Sequence, residues 1–114
     1  MQVLFKTEQN ALIIKLRGEL DHHSTEQIRS GIQDAITQSQ TKHLIFDFSE
    51  LSFMDSAGIG MVIGRYKLMQ ALGGRVLLVC DGRMRKIAEM SGLSRLMTIC
   101  TNMEQAGLAL VEGR

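Results

Sequence analysis

Proline and tryptophan are absent from this chain of 114 residues, and aromatic residues make up only 4% of it. Without proline, breaks between elements must come from glycine, asparagine and aspartate. The few aromatic rings offer little surface on which nucleic-acid bases could stack. The net charge of +1 also lacks the positive excess typical of proteins that coat nucleic acid or anionic membranes.

Long apolar runs and metal-binding clusters are missing as well. No apolar run approaches the ~20 residues that a membrane-spanning helix needs. The segment Met1–Lys6 has no charged start followed by an apolar run, so no signal peptide is predicted. The only cysteines, Cys80 and Cys100, each end an apolar run, and a metal site would need further ligands at close spacing. We therefore predict two buried reduced thiols, no metal, no cofactor and a cytoplasmic location.

The remaining composition is that of an ordinary globular protein, with 45% apolar and 22% charged residues. The length fits a single domain over residues 1–114. The first residues alternate around a polar turn at Glu8–Asn10, which predicts a hairpin closed by Gly18. Ser24–Gln27 matches the S-x-x-Q capping box, so a helix should begin at Ser24.

Alternating apolar segments follow that first helix. The predicted elements are a strand at 44–48, a helix at 55–72, a strand at 76–80, a helix at 83–91, a strand at 96–100 and a helix from Asn102 to Leu110. The order is therefore β-β-α-β-α-β-α-β-α, which favours parallel pairs with right-handed crossovers. We predict an α/β domain with a mixed sheet of four to five strands and about four helices.

The pair Asp55-Ser56 is the strongest candidate site in the sequence. It follows a buried strand and begins a helix, where ligand sites of open α/β sheets lie. Both residues are also good helix N-caps, so capping alone is one interpretation. However, Gly58 and Gly60 each cost a helix about 1 kcal/mol relative to alanine. Their presence suggests that something approaches this first turn closely.

Catalytic and nucleotide-binding interpretations of this segment fit its residues poorly. A nucleophile elbow needs glycine two residues before the serine, where Met54 stands. The general base would have to come from a histidine, and the chain has three: His22, His23 and His43. For a dinucleotide fingerprint, Gly64 lies one residue too far from Gly60. The cluster Arg83, Arg85 and Lys86 fits a solvated helix face better than a nucleic-acid surface.

The helix that follows Ser56 carries two apolar stripes. One consists of Ile59, Val62, Ile63, Tyr66 and Met69, and the other of Met61, Leu68 and Leu72. One stripe is enough to pack a helix on a sheet. The excess near Ile59 and Met61 is therefore a candidate surface for a protein partner. The alternative is that neighbouring helices cover both stripes.

Four segments of the chain resemble a known family. They are Arg17-Gly18-Glu19-Leu20-Asp21, Leu44-Ile45-Phe46-Asp47-Phe48-Ser49, Phe53-Met54-Asp55-Ser56-Ala57-Gly58-Ile59-Gly60 and Gly73-Gly74-Arg75. Together they resemble the anti-anti-sigma factors, which are small stand-alone STAS-domain proteins. Within that family, the similarity is strongest to the members that act in sporulation.

The resemblance implies a regulatory binding protein and not an enzyme. In such a partner switch, the unphosphorylated protein binds an anti-sigma factor that is also a serine kinase, and the sigma factor is released. This gives positive regulation of sporulation transcription. Phosphorylation of the signature serine, here Ser56, abolishes binding, and a serine phosphatase restores it. No nucleic acid or membrane is expected as a partner.

The expected partner-binding residues are those of the signature and the loop after the hairpin. They are Asp21, Asp55, Ser56, Gly58, Ile59, Gly60 and Met61. Asp21 is expected to pair with a basic residue of the partner, although a turn or helix-start role is an alternative. Asp55 is a candidate for positioning Ser56 during phosphoryl transfer. The rival function is a STAS module that senses a nucleotide or another small ligand at the same strand-end site.

Overall fold

The computed structural model describes residues 1–113. Its elements are β1 (Gln2–Glu8), β2 (Ala11–Leu20), α1 (His22–Ser39), β3 (His43–Met54), α2 (Ser56–Ala71), β4 (Val76–Val79), α3 (Gly82–Met90), α4 (Leu93–Leu96), β5 (Thr98–Cys100) and α5 (Met103–Glu112). The predicted element order is confirmed, with the one-turn helix α4 as an addition. None of the helices in this range is long and apolar enough to cross a membrane.

The five strands form one mixed sheet in the order β1-β2-β3-β4-β5. The pair β1–β2 is antiparallel, because a two-residue turn at Gln9 and Asn10 connects the strands. The other three pairs are parallel, because a helix carries the chain back between consecutive strands. The predicted mixed sheet is therefore confirmed, and its parallel strands all end at one edge.

Helices cover both faces of the sheet. Residues of α1, α2, α3 and α4 pack on one face, against the side chains of Leu44, Phe46 and Phe48. Helix α5 packs on the opposite face, against Ile45 and its neighbours. The strand β3 is thus buried on both sides along its first half, which explains its continuous apolar run.

The two cysteines belong to different faces. Cys80 lies in the core beneath α1–α4, and Cys100 lies in the core beneath α5. Both thiols are free and buried, and burial raises the pKa of the Cys80 thiol to about 11. The predicted reduced, buried cysteines are confirmed.

Several predicted strand boundaries are wrong. Strand β3 continues past Phe48 to Met54, because it keeps pairing with β2 through two register shifts. Gly18 does not close β2 but lies inside it at the second shift, with a φ of 112°. Strand β5 begins at Thr98 and not at Leu96, because one turn of helix, α4, precedes it and buries Leu93.

Candidate protein-binding site at the carboxyl edge of the sheet

Helices α1 and α2 begin side by side at the edge where β2 and β3 end. Leu20 and Met54 are paired in the parallel register of these strands. The next residues, Asp21 and Asp55, are therefore neighbours, and each is an N-cap in extended conformation. The predicted proximity of Asp21 to the Asp55-Ser56 pair is confirmed.

The Asp55 carboxylate links the starts of both helices. Its Oδ1 accepts hydrogen bonds from the backbone N–H groups of Ala57 at 3.0 Å and Gly58 at 3.3 Å. Its Oδ2 accepts one from the backbone N–H of His22 at 3.0 Å. The Asp55 N–H in turn donates to the carbonyl of Leu20. These bonds satisfy free N–H groups at two helix N-termini with a single side chain.

Asp21 caps α1, and the prediction that this helix begins at Ser24 is wrong. The Ser24 N–H donates to Asp21 Oδ1 at 2.9 Å, and the Asp21 N–H donates to Ser24 Oγ at 2.9 Å. The capping box is therefore real, but Asp21 is the cap and Ser24 is its third-position partner. The hydrogen bonds that the Ser24 backbone N–H and hydroxyl donate to Asp21 Oδ1 hold the pKa of Asp21 below its usual value, so its carboxylate is charged at neutral pH.

We expect Asp55→Ala to lower the free energy of unfolding by about 2–3 kcal/mol. The loss combines an N-cap with a charge-assisted hydrogen bond to a second helix. Asp81 provides a matched control, because it is the N-cap of α3 but its side chain makes no capping hydrogen bond. Asp81→Ala should change stability by less than about 0.5 kcal/mol. Urea unfolding of both variants measures the difference, and equal losses would contradict the linking role.

Ser56 is the first residue of α2, and it is exposed. Its Oγ makes no hydrogen bond with any residue from 1 to 113. The nearest N–H groups at the start of the helix, those of Ala57 and Gly58, donate to Asp55 instead. The Ser56 hydroxyl is thus presented to solvent on a backbone that its neighbour holds in place, which is suitable for modification by another protein.

The predicted exposed surface at Gly58 and Met61 is wrong. A Cβ on Gly58 would lie 2.8 Å from both the Cγ and the backbone oxygen of Leu20. Gly58 therefore lacks a side chain because β2 of the same chain packs there, and not because a partner approaches. Met61 is only 2% exposed and lies in the core, because α2 packs against α1, α4 and the sheet.

Gly60 and Ile59 remain available at the first turn of α2. Gly60 is exposed, and a Cβ there would meet no atom within 4 Å. Ile59 is partly buried against the core but still reaches the surface. Open space at Gly60 is consistent with the predicted close approach of a partner, and that role stays a prediction.

Phe53 is a candidate contact residue that the sequence analysis did not select. It is a large aromatic residue with 38% of its surface exposed, two positions before Asp55. It is paired with Glu19 across the end of β2 and β3. Exposed aromatic side chains often anchor interfaces. Phe53 lies in the second half of β3, which β4 does not cover. Its exposure could not be predicted, because the sequence analysis ended this strand at Phe48.

The histidines do not complete a catalytic serine site. His43 lies at the start of β3, at the opposite edge of the sheet, where its Nδ1 accepts from the backbone N–H of Arg75 at 3.0 Å. His22 and His23 begin α1, but within residues 1–113 neither side chain hydrogen-bonds to Ser56. The geometry needed for a nucleophile and its base is absent from this part of the chain.

The comparison with known proteins decides the family. The STAS domain model matches residues 2–106. The chain is 38% identical over 104 residues to an anti-sigma F factor antagonist of Paenibacillus polymyxa, covering 90% of this chain and 88% of the relative. It is 43% identical over 99 residues to the Lysinibacillus sphaericus protein of the same description, covering 86% and 84%. The chain belongs to the STAS-domain anti-sigma factor antagonists.

Solved structures of this family agree with the fold. The anti-sigma factor antagonist SpoIIAA in its unphosphorylated form matches with a TM-score of 0.73 and 34% identity, over 99% of this chain and 100% of that one. The phosphorylated form of the Bacillus cell fate determinant SpoIIAA matches with a TM-score of 0.69 and 39% identity, over 92% and 96%. The predicted family, and its similarity to the sporulation members, are confirmed.

Proposed function

We propose that this STAS protein is a phosphorylation-controlled partner switch, and that Ser56 is the switched residue. In the unphosphorylated form it binds an anti-sigma factor with serine-kinase activity and thereby frees a sigma factor for transcription of sporulation genes. The kinase phosphorylates Ser56 and releases the protein, and a serine phosphatase returns it to the binding form. In this scheme the protein is a substrate and a ligand, and it catalyses nothing.

The proposal rests on the accessibility of the Ser56 hydroxyl. It is exposed and free of hydrogen bonds to residues 1–113, at the start of a helix that Asp55 anchors. A kinase needs a hydroxyl that it can place nearly in line with the γ-phosphate. A rigid, accessible serine beside the open position of Gly60 meets that need. The phosphorylated form of SpoIIAA shows that a relative with this fold carries such a modification.

A phosphate on Ser56 should leave the fold intact. The Asp55 side chain already accepts hydrogen bonds from the N–H groups of Ala57 and Gly58. The helix is therefore capped without any contribution from the phosphate. The helix dipole favours an anion at this end by about 0.3–1 kcal/mol. The regulatory effect must therefore arise at the interface with the partner, and not from a change of structure.

The charge around Ser56 explains how an interface could respond to phosphorylation. Asp21, Asp55 and Glu19 lie at the ends of β2 and β3. Within residues 1–113, none of their carboxylates forms an ion pair with a basic side chain. Phosphorylation adds a charge of roughly −1.5 to −2 beside them. Burying this charge against a partner is costly by several kcal/mol.

The direct test mixes the full-length protein with its candidate anti-sigma kinase, with and without ATP. We expect a stable complex without ATP, and with ATP a mass increase of one phosphate together with loss of the complex. Ser56→Ala should show no mass increase. A mass increase that persists in Ser56→Ala would assign the modification to another residue. The absence of any complex without ATP would overturn the partner-switch function.

Asp21 offers a separate prediction about binding. Asn is also a good N-cap, so Asp21→Asn should preserve α1 while removing the charge. We expect association with the anti-sigma kinase to slow several-fold at low salt and to lose part of its salt dependence, because an attractive charge at the interface is gone. Stopped-flow association across a salt series measures both effects. Glu104→Gln, an exposed charge on α5, is the control and should change neither.

The alternative, sensing of a nucleotide at the same strand-end site, has less support from the geometry. The Asp55 oxygens are committed to backbone N–H groups of the chain itself. Ser56 and Gly60 are exposed instead of lining a cleft. A direct titration of the isolated protein with nucleotide, followed at the Ser56 amide, separates this alternative from the partner switch.

A further inference from the structure

A second candidate site lies at the opposite edge of the sheet from Ser56. A cavity of about 650 Å³ opens between the second half of α2, the start of β4, and the segment from α4 to β5. Three arginines line it: Arg75 just before β4, Arg85 on α3 and Arg95 on α4. Its lining contains no aspartate or glutamate. We call this the arginine cavity.

Two of the three arginines are held by hydrogen bonds that leave their charge unneutralised. Arg75 Nη1 donates to the carbonyl of Ala109 on α5 at 3.0 Å, and Arg85 Nη1 donates to Thr101 Oγ1 at 3.3 Å. Both acceptors are neutral. Within the described chain, none of the three arginines forms an ion pair, including Arg85 with Glu89, one turn further along α3. Each guanidinium group retains donors that the protein does not use.

Strand β5 forms one wall of the arginine cavity through Thr98 and Ile99. Strand β5 is the last strand in the sheet order, so its outer backbone edge has no strand partner in residues 1–113. The cavity thus lies beside the last strand of the sheet order and has three positive side chains in its lining.

We propose that the arginine cavity binds a small organic phosphate. One guanidinium group can donate two parallel hydrogen bonds to a phosphate, and it stays charged at all physiological pH values. The volume is that of an ordinary small-molecule site, for which about 300–1,000 Å³ is typical, so there is room for more than the phosphate group. Tyr66, Leu96 and Ile99 provide walls for the remainder of the molecule.

This site is separate from the proposed switch. Ser56 begins α2 beyond the carboxyl end of β3, whereas the cavity lies beside the amino ends of β4 and β5. Helix α2 connects the two, since Tyr66 and Gln70 in its second half line the cavity. The proposal therefore stands whether or not Ser56 is phosphorylated.

Titration of the full-length protein with ribose 5-phosphate, followed by heteronuclear NMR, tests the site. We expect saturable shifts of the Gly74, Thr98 and Ile99 amides at concentrations up to ~10 mM, with the Ser56 amide unmoved. Ribose without the phosphate should give no saturable shift. Equal binding of ribose would overturn the role of the phosphate, and no saturation by ribose 5-phosphate would overturn the site.

Substitutions of two exposed arginines form a matched pair. Arg95 is exposed and makes no side-chain hydrogen bond within residues 1–113, so Arg95→Gln should fold normally and weaken ribose 5-phosphate binding by about tenfold. Arg83, also exposed, does not line the cavity, and Arg83→Gln should weaken binding by less than about twofold. An equal loss in both variants would indicate general attraction to a positive surface and would refute the cavity.

Discussion

Ser56→Ala is expected to bind the anti-sigma kinase with the same affinity in the presence and absence of ATP, whereas Ser56→Asp is expected to bind about ten- to a hundredfold more weakly. Removing the hydroxyl leaves no acceptor for phosphate and takes away no bond within residues 1–113. Aspartate adds one negative charge beside Asp55 and Asp21, which must be desolvated against the partner. Each ~1.4 kcal/mol of that cost is tenfold in affinity.

The phosphorylated protein should bind more weakly than Ser56→Asp, by at least a further tenfold. A phosphate carries a charge of roughly −1.5 to −2, which exceeds that of the aspartate side chain. Isothermal titration of the three forms against the kinase, without ATP, orders their affinities. Equal affinities of Ser56→Ala and Ser56→Asp would exclude the electrostatic mechanism.

Ser49 provides the control for added charge. It is an exposed serine on β3, and it lies about 23 Å from Ser56 along the chain at roughly 3.3 Å per extended residue. Ser49→Asp introduces the same charge outside the signature turn, and its affinity should stay within about twofold of the parent protein. A loss as large as that of Ser56→Asp would show that the whole acidic edge, and not position 56, controls binding.

The second large effect concerns the two glycines in the first turns of α2, whose replacement by alanine should change stability in opposite directions. Gly60→Ala should stabilise the protein by up to about 1 kcal/mol, because its Cβ meets nothing and the unfolded chain loses entropy. Gly58→Ala should destabilise it by about 2 kcal/mol or more. One of the atoms that its Cβ meets is the backbone oxygen of Leu20, which cannot rotate away.

A Cβ at position 58 would also weaken a hydrogen bond of Asp55. The same Leu20 oxygen accepts the Asp55 N–H at 3.2 Å, so displacing it weakens the link between the starts of α1 and α2. Thermal or urea unfolding of the two alanine variants measures the stability difference. Destabilisation of similar size in both would contradict the packing explanation for Gly58.

Gly60→Ala separates folding from binding. We expect it to fold more stably and yet to bind the anti-sigma kinase about tenfold more weakly, because a methyl group then occupies the space that a partner would enter. An exposed glycine in the middle of α1, Gly31, is the matched control. Gly31→Ala should give a similar gain in stability with unchanged binding, and unchanged binding of Gly60→Ala would remove Gly60 from the interface.

The sequence was sufficient for those features that depend on local pattern. The strand-to-helix turn at Asp55, the length of α2 and the Asn102 cap of α5 are confirmed within about one residue. The neighbouring positions of Asp21 and Asp55 were predicted as well, because parallel strands end at one edge. These inferences needed only periodicity, capping chemistry and the handedness of crossovers.

Features that depend on distant residues were predicted wrongly. Gly58 was interpreted as space for a partner, since the sequence does not reveal that Leu20 packs against it. Met61 was expected at the partner surface, although it is only 2% exposed, whereas Leu72 of the same stripe is 67% exposed. The error at Ser24 is a local one: Ser24 starts a matching motif, but Asp21 three residues earlier is the cap that forms the box with it.

The two cysteines lie on opposite faces of the sheet, so each can report on the helices that cover its own face: α1–α4 for Cys80 and α5 for Cys100. Cys80 is protected only while α1–α4 stay packed, and Cys100 only while α5 stays docked. Because both thiols are shielded in the native protein, each becomes reactive when its own layer opens. The rates at which the two sites are alkylated would therefore distinguish detachment of the last helix from loosening of the layer that carries Ser56.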